Sequence, residues 1–360
     1  MNDFLYLLNC ALWETHPELP YLDDWNGIVR MAQRQTVFGL VVHAALQTEA
    51  VSQLATESHQ LLQQQIDDMT IAAKQANSLI CQLIMALSRE GIEVILLKGQ
   101  GLAAFYPNPE LRQCGDIDLL VSSTDYVKAV EVLNRMATSR TLSKAYTTSK
   151  HYHIIIKGIS VELHWSCMVF DAHETNIKYE ALEERGLKEP TDDFILEGKR
   201  IHRLSPTFNA FYVFVHLWEH FIECGIGLRQ VCDWAMLLHR RHGQIDLNLL
   251  HEQLETLGIQ RPWQLFGCMV VHYLGLPSEE MPFYDSGYMH KAKRLLHIIL
   301  KEGNFGTSMN LNRLHNHQRG FSRSLTTLVS IQVRSWRIFT LFPDKGWSLW
   351  KSKMKGGFIK

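Results

Sequence analysis

Asp116 and Asp118 stand one residue apart in "GDIDLLV", a stretch that reads as a short strand. On a strand, residues two apart share a face, so both carboxylates leave the sheet on the same side while Ile117, Leu119 and Val121 point into a core. Two carboxylates held together repel unless a cation lies between them. Mg²⁺ takes hard oxygen ligands and keeps room for waters and substrate phosphates. A pair held this way suits in-line phosphoryl or nucleotidyl transfer. A third acid stands in "VELHW", where Glu162 and His164 share one face and Val161, Leu163 and Trp165 the other. If that strand neighbours the first, Glu162 reaches the same ion, as a ligand or as general base for an acceptor hydroxyl.

Upstream, "LLKGQG" places Gly99 between an apolar strand and a short helix. Glycine allows a phosphate to approach the backbone, and N–H groups at a helix start favour an anion. Lys98 and Arg112 flank the turn with positive charge, and an arginine can grip a phosphate with two hydrogen bonds. Each piece alone has a plain explanation, since acid-x-acid pairs commonly begin solvated strands. The order strand, glycine turn, helix, loop, Asp-x-Asp strand and later strand acid is what favours a nucleotide and metal site.

The elements that must hold these residues can be read coarsely. Residues 1–90 carry helical spacing, with Leu62, Ile66, Met69, Ile80, Leu83 and Leu87 on one stripe, ended at Glu90-Gly91. Residues 91–204 read as a β-α-β-α-β-β run with a hairpin turned at Gly158, then a polar connection with one short strand in "DFILEGKRIHRL". Residues 205–300 are helical, opened by Ser205 as cap and Pro206 in the first turn. Residues 301–360 form a basic, aromatic C-terminal segment. The fold class expected is α+β: a small mixed β-sheet flanked by N-terminal and C-terminal helical regions.

Bulk composition narrows the alternatives. The 360 residues are 46% hydrophobic and 20% charged, enough for one large or a few modest domains. A net charge of -1 gives no global pull towards nucleic acid or acidic lipid, although residues 301–360 hold eleven Lys and Arg against two acids. That segment reads as a solvated basic tail. A nucleic-acid or membrane-surface contact through Trp347, Trp350, Lys351, Lys353 and Lys355 is the less favoured reading, and "RLHNHQRGFSR" is a further phosphate-binding candidate. No signal peptide and no apolar run of transmembrane length is seen, and the seven cysteines form no CxxC pair, so a reducing cytoplasm is expected. Cys114, beside the aspartates, is expected to pack rather than react.

With these residues in hand, the chain resembles the nucleotidyltransferase fold of the DNA polymerase β superfamily. More narrowly, it is similar to an uncharacterised bacterial nucleotidyltransferase family. The match is carried by Lys98-Gly99, Tyr106-Pro107, Arg112, Gly115-Asp116-Ile117-Asp118 and Glu162-Leu163-His164-Trp165, and by a later helical block with His216, His220, Arg229 and Asp233. The resemblance implies that Asp116, Asp118 and Glu162 bind Mg²⁺ or Mn²⁺. It implies that Lys98, Gly99, Gln100 and Arg112 meet an NTP such as ATP, and that an acceptor hydroxyl, with a sugar or glycan precursor as the candidate, receives the nucleotide. Two departures stand out: Gln100 follows the glycine where the superfamily has a small residue, and the gap to Asp116 is longer than usual. His164, His216, His220, Arg229 and Asp233 are expected to line the substrate side of the cleft or to buttress the core.

Three other readings compete. A non-catalytic or antitoxin-like module of the same fold keeps the site without turnover. "HLWEH" at 216–220 matches the H-x-x-E-H zinc hydrolase pattern, with two imidazoles on one helix face, but eighteen histidines make a chance match easy. A glycosyltransferase also uses D-x-D, but there the pair follows a strand, whereas here it opens one.

Overall fold

The computed structural model describes residues 2–22, 24–52, 56–142, 144–148, 151–304 and 338–343. Among the described residues, five helices occupy the first ninety positions: α1 (Asn2–Trp13), α2 (Trp25–Arg34), α3 (Phe38–Leu46), α4 (Glu49–Ser52) and the long α5 (Thr56–Arg89). Helix α5 buries Ile66, Ala73, Ile80, Leu83 and Leu87 at helical spacing. It stops before Gly91, whose φ of 74° suits glycine at a helix end.

The sheet follows. Its strands and their connecting helices are β1 (Ile95–Leu96), α6 (Gln100–Ala103), β2 (Ile117–Leu120), α7 (Tyr126–Met136), α8 (Ser139–Leu142), β3 (Tyr146–Thr147), β4 (His151–Ile156), β5 (Ile159–His164), α9 (His173–Gly186), β6 (Asp192–Leu196) and β7 (Lys199–Arg203). The spatial order is β3-β4-β5-β2-β1-β7-β6. Strands β2 and β5 run parallel, as do β1 and β7, and the other pairs are antiparallel. The architecture is α+β with a mixed sheet, as the sequence leads one to expect.

The hairpin expected at Gly158 is present, with Lys157 and Gly158 both at positive φ and Ile156 facing Ile159. The single strand expected in "DFILEGKRIHRL" is instead a second hairpin. Glu197 and Gly198 have φ of 48° and 73°, which is the backbone a two-residue hairpin turn demands. Its second arm, β7, pairs with β1, so the sheet extends beyond β1.

One face of the sheet packs Ile117, Leu119, Val161 and Leu163 against α5 and α7. The other face looks towards the C-terminal helices: α10 (Pro206–Glu223), α11 (Leu228–Arg241), α12 (Leu247–Thr256), α13 (Gln260–Leu274) and α14 (Met289–Glu302). Helix α10 starts as expected, the Ser205 hydroxyl accepting from the Phe208 N–H with Pro206 in the first turn.

The two helical regions flanking the sheet share one hydrophobic core, which runs from Phe4, Leu7 and Leu8 through Phe214, Trp234, Trp263 and Met269 to Ile299. Side chains from the beginning of the chain also satisfy carbonyls near its far end. Trp13 donates to the Leu274 carbonyl at 2.6 Å, Asn9 to Tyr273 at 3.2 Å and Gln35 to Ile299 at 3.1 Å. Among the described residues no helix is long and apolar enough to cross a membrane. Trp347, Trp350, Lys351, Lys353, Lys355 and "RLHNHQRGFSR" lie outside the described residues.

Candidate functional site

Parallel pairing of β2 with β5 puts Asp118 directly opposite Glu162. Both side chains leave the face that looks towards α10, because residues in register on neighbouring strands point the same way. Asp116 lies just ahead of β2 and, unlike Asp118, is exposed. Asp116, Asp118 and Glu162 each offer an oxygen within 4.8 Å of the others. The three acids named from sequence are therefore brought together.

The next strand adds a residue that sequence reasoning missed. In the β4–β5 hairpin His151 pairs with His164. His151 Nε2 lies 3.5 Å from Glu162 Oε1, and His164 Nε2 lies 3.4 Å from Glu162 Oε2 and 3.1 Å from Asp118 Oδ1. The signal was available: His151 and His164 stand equally far from the turn at Lys157-Gly158, so a tight hairpin pairs them.

Asp118 is 2% exposed. Burial opposes its charge, but the Lys98 ammonium 3.1 Å away and the hydrogen bond from His164 outweigh this and hold its carboxyl far below the usual range. Asp116 moves the other way, raised first by the charge of Asp118 and then by desolvation in the cleft. Lys98 is pushed down by burial, yet Asp118 and Asp116 more than restore it, so it stays charged. Its ammonium also sits 3.1 Å from His216 Nε2. An ammonium only donates, so that nitrogen accepts. Burial first, then Lys98, keep His216 far below the ordinary imidazole value and hence neutral. His220 Nε2 stands 3.2 Å from the same atom. The two histidines of "HLWEH" are thus linked to the acid cluster through Lys98. Neither belongs to the two groups of metal-ligating spacing found among the described residues.

Gly99 occupies φ 55°, ψ −120°, and a Cβ there would stand 3.2 Å from the Asp116 carbonyl. Only glycine fits this turn without strain. The backbone beyond it is largely committed: the N–H groups of Gly101, Leu102 and Ala103 bond to the carbonyls of Lys98 and Gly99. Gln100 is buried and donates to Asn77 of α5 at 2.6 Å, away from the cleft.

Arg112, expected at a phosphate, instead grips Asp233 of α11 with two bonds, Nε to Oδ1 at 3.0 Å and Nη2 to Oδ2 at 2.6 Å. The Tyr106 hydroxyl donates to the same carboxylate at 2.8 Å. Arg229, one turn earlier on α11, donates from Nη1 to the Gln113 carbonyl at 3.0 Å. Its buried Nε has no hydrogen-bond partner and it has no carboxylate partner among the described residues. Cys114 is a free thiol whose pKa is raised by burial first and by Asp116 to a lesser degree.

The three acids, Lys98, Gly99, the four histidines, Arg229 and the Arg112–Asp233 pair line a cleft of about 390 Å³. Acids and imidazoles form its floor, Arg229 stands near Gly115, and Met168, Phe170, Val213 and Leu217 give it an apolar wall. Such a mix, a polar floor beside an apolar wall, suits a ligand with a charged and a flat or apolar part.

Comparison with known proteins gives one family. The model of a family described as "Uncharacterised nucleotidyltransferase" matches residues 22–275, more than half of the chain. Among curated proteins none matches. Among solved structures, an antigenic nucleotidyltransferase-like protein from Paracoccidioides brasiliensis is similar at 13% identity and a TM-score of 0.32, over 62% of this chain and 97% of that one.

Proposed function

The chain belongs to this family of uncharacterised nucleotidyltransferases, and from that premise we propose that it transfers a nucleoside monophosphate from an NTP to a hydroxyl acceptor with the help of Mg²⁺ or Mn²⁺. The observation that carries the reading is the register of β2 and β5, which sets Asp118 beside Glu162 with Asp116 in reach. Three carboxylate oxygens at that spacing fit a hard divalent cation. When bound, the ion supplies charge neutralisation for the phosphates and the leaving pyrophosphate.

The residues divide the remaining work. An acceptor oxygen bonds to the α-phosphorus, the bond to the bridging oxygen breaks, and pyrophosphate leaves with its electron pair. Glu162 either completes the ligand set or accepts the hydroxyl proton. Lys98 holds Asp118 ionised and in place. Arg229 takes the phosphate role first assigned to Arg112, because Arg112 is committed to Asp233 whereas Arg229 has no such partner among the described residues. Gly99 lets the turn sit against Asp116. A sugar or glycan precursor is the acceptor class proposed.

A second reading, a nucleotide-binding module without turnover, draws on the Lys98 ammonium already at Asp118 Oδ1. One experiment separates the two. The protein is incubated with each NTP and Mg²⁺, pyrophosphate release is followed, and NTP binding is measured by calorimetry. Transfer predicts Mg²⁺-dependent release that falls at least about a hundredfold in Asp116→Asn, since metal stabilisation is worth several kcal/mol. Binding without release supports the silent module. Neither binding nor release with any NTP would sink both.

A further inference from the structure

His151 has no part in the reading above, and its place in the sheet is not that of a solvated surface histidine. It is half-buried on β4, opposite His164 of β5, with Glu162 between the two imidazoles. His151, Glu162 and His164 each offer a ligand atom, all within 4.8 Å of one another. We propose that these three residues form a second cation site, for a transition-metal ion of the Zn²⁺ type, which shares Glu162 with the hard-ion site at Asp116 and Asp118.

Three observations carry this beyond proximity. The first is spacing. His151 Nε2 to Glu162 Oε1 is 3.5 Å and His164 Nε2 to Glu162 Oε2 is 3.4 Å. Good hydrogen bonds of this kind run about 2.7–3.2 Å. Around a tetrahedral ion with bonds of about 2.0–2.1 Å, neighbouring ligand atoms stand roughly 3.3–3.4 Å apart. Both separations lie close to that span, each to a different oxygen of Glu162, so the carboxylate faces an ion between the two rings with both oxygens. The second is ligand chemistry. Imidazole nitrogens suit Zn²⁺ and its neighbours, while all-oxygen groups suit Mg²⁺. The two clusters therefore select different ions although they share a residue. The third is rigidity: the ligands come from paired strands in fixed register, and sites on such elements hold their geometry better than loops do.

The charge balance agrees. With the imidazoles neutral, as metal binding requires, Asp116, Asp118 and Glu162 against Lys98 leave two negative charges. One divalent ion cancels them, and a second makes the floor cationic, as a polyphosphate requires. Binding at His164 Nε2 displaces the hydrogen bond to Asp118 Oδ1, currently 3.1 Å. The Nε2 proton leaves to solvent or moves to Nδ1, and the freed lone pair meets the ion. The two sites are thereby coupled through both Asp118 and Glu162.

The test needs no nucleotide, so it stands apart from the transfer reading. The full chain, stripped of metal, is dialysed against Zn²⁺ in the presence of excess Mg²⁺, and bound zinc is measured by elemental analysis. Co²⁺ is used in parallel for its visible absorption. The expected result is one Zn²⁺ per chain, and a Co²⁺ band, in the natural protein and in Asp116→Asn. Zinc affinity should fall more than about tenfold in His151→Ala and in His151→Gln, at least the loss seen when even an outer partner of a metal ligand is removed. Circular dichroism checks that each variant is folded, and two substitutions at the half-buried His151 guard against one misfolding. Absence of stoichiometric Zn²⁺, zinc affinity undiminished from the natural protein in both His151 variants, or a loss in Asp116→Asn as large as theirs would each overturn the site.

Discussion

Arg112 and Asp233 are 5% and 6% exposed as side chains, and the Tyr106 hydroxyl completes the carboxylate's shell. Burying two charges is costly, and this pair returns the cost only because both bonds of the fork are made. Asp233→Ala leaves a guanidinium in the interior with no counter-charge and a hydroxyl with no acceptor. We expect a loss of about 3–5 kcal/mol, read by chemical denaturation. Arg229→Ala, in contrast, removes a cation with no carboxylate partner among the described residues, so the stability loss there should be the smaller of the two. The sequence shows Arg112 near Asp116 but not its partner, which lies 121 residues later. That distance in the chain is why the sequence offers the phosphate role and hides the ion pair. The acids were legible because strand alternation acts over two residues and needs no knowledge of the fold. His151 was legible in principle too, from the symmetry of its hairpin.

At the scale of elements, the turn between β1 and α6 has the least freedom. Gly99 combines positive φ with a close approach to the Asp116 backbone. Gly99→Ala therefore strains the turn and presses on the residue that begins the acid pair. A cost of about 1–3 kcal/mol is expected, together with weaker Mg²⁺ binding, measured by denaturation and calorimetry on the same samples. A stability loss without any change in metal affinity would show that the turn does not position Asp116. The sequence disclosed this glycine, the Gly158 hairpin and the Ser205-Pro206 helix start, because each is fixed by local backbone chemistry. It concealed the β6–β7 hairpin, whose turn residues Glu197-Gly198 sit inside a charged stretch with no apolar alternation to frame them. It also concealed that the backbone N–H groups after Gly99 close on their own helix, since that depends on how tightly one turn winds.

Across the whole molecule, the helices before and after the sheet are one packing unit. Leu7 of α1 is fully buried in the same cluster as Trp263 and Met269 of α13. Leu7→Ala should cost about 2–5 kcal/mol, and tryptophan fluorescence, dominated by residues far along the chain, should report the lowered denaturation midpoint. If α1 unfolds without altering that signal, the two regions are independent. The sequence segments the chain at the sheet because composition changes there, yet segmentation says nothing about which segments meet. This shared core also sets a schedule. Asn9 bonds to Tyr273 across 264 residues of chain, and at roughly 5–20 residues per second of synthesis that separation is roughly ten to fifty seconds. For that interval α1 has α3 beside it, but the wall that α13 supplies has not been made. The cell must shelter α1, or α1 must shelter itself, until the last wall of its core emerges.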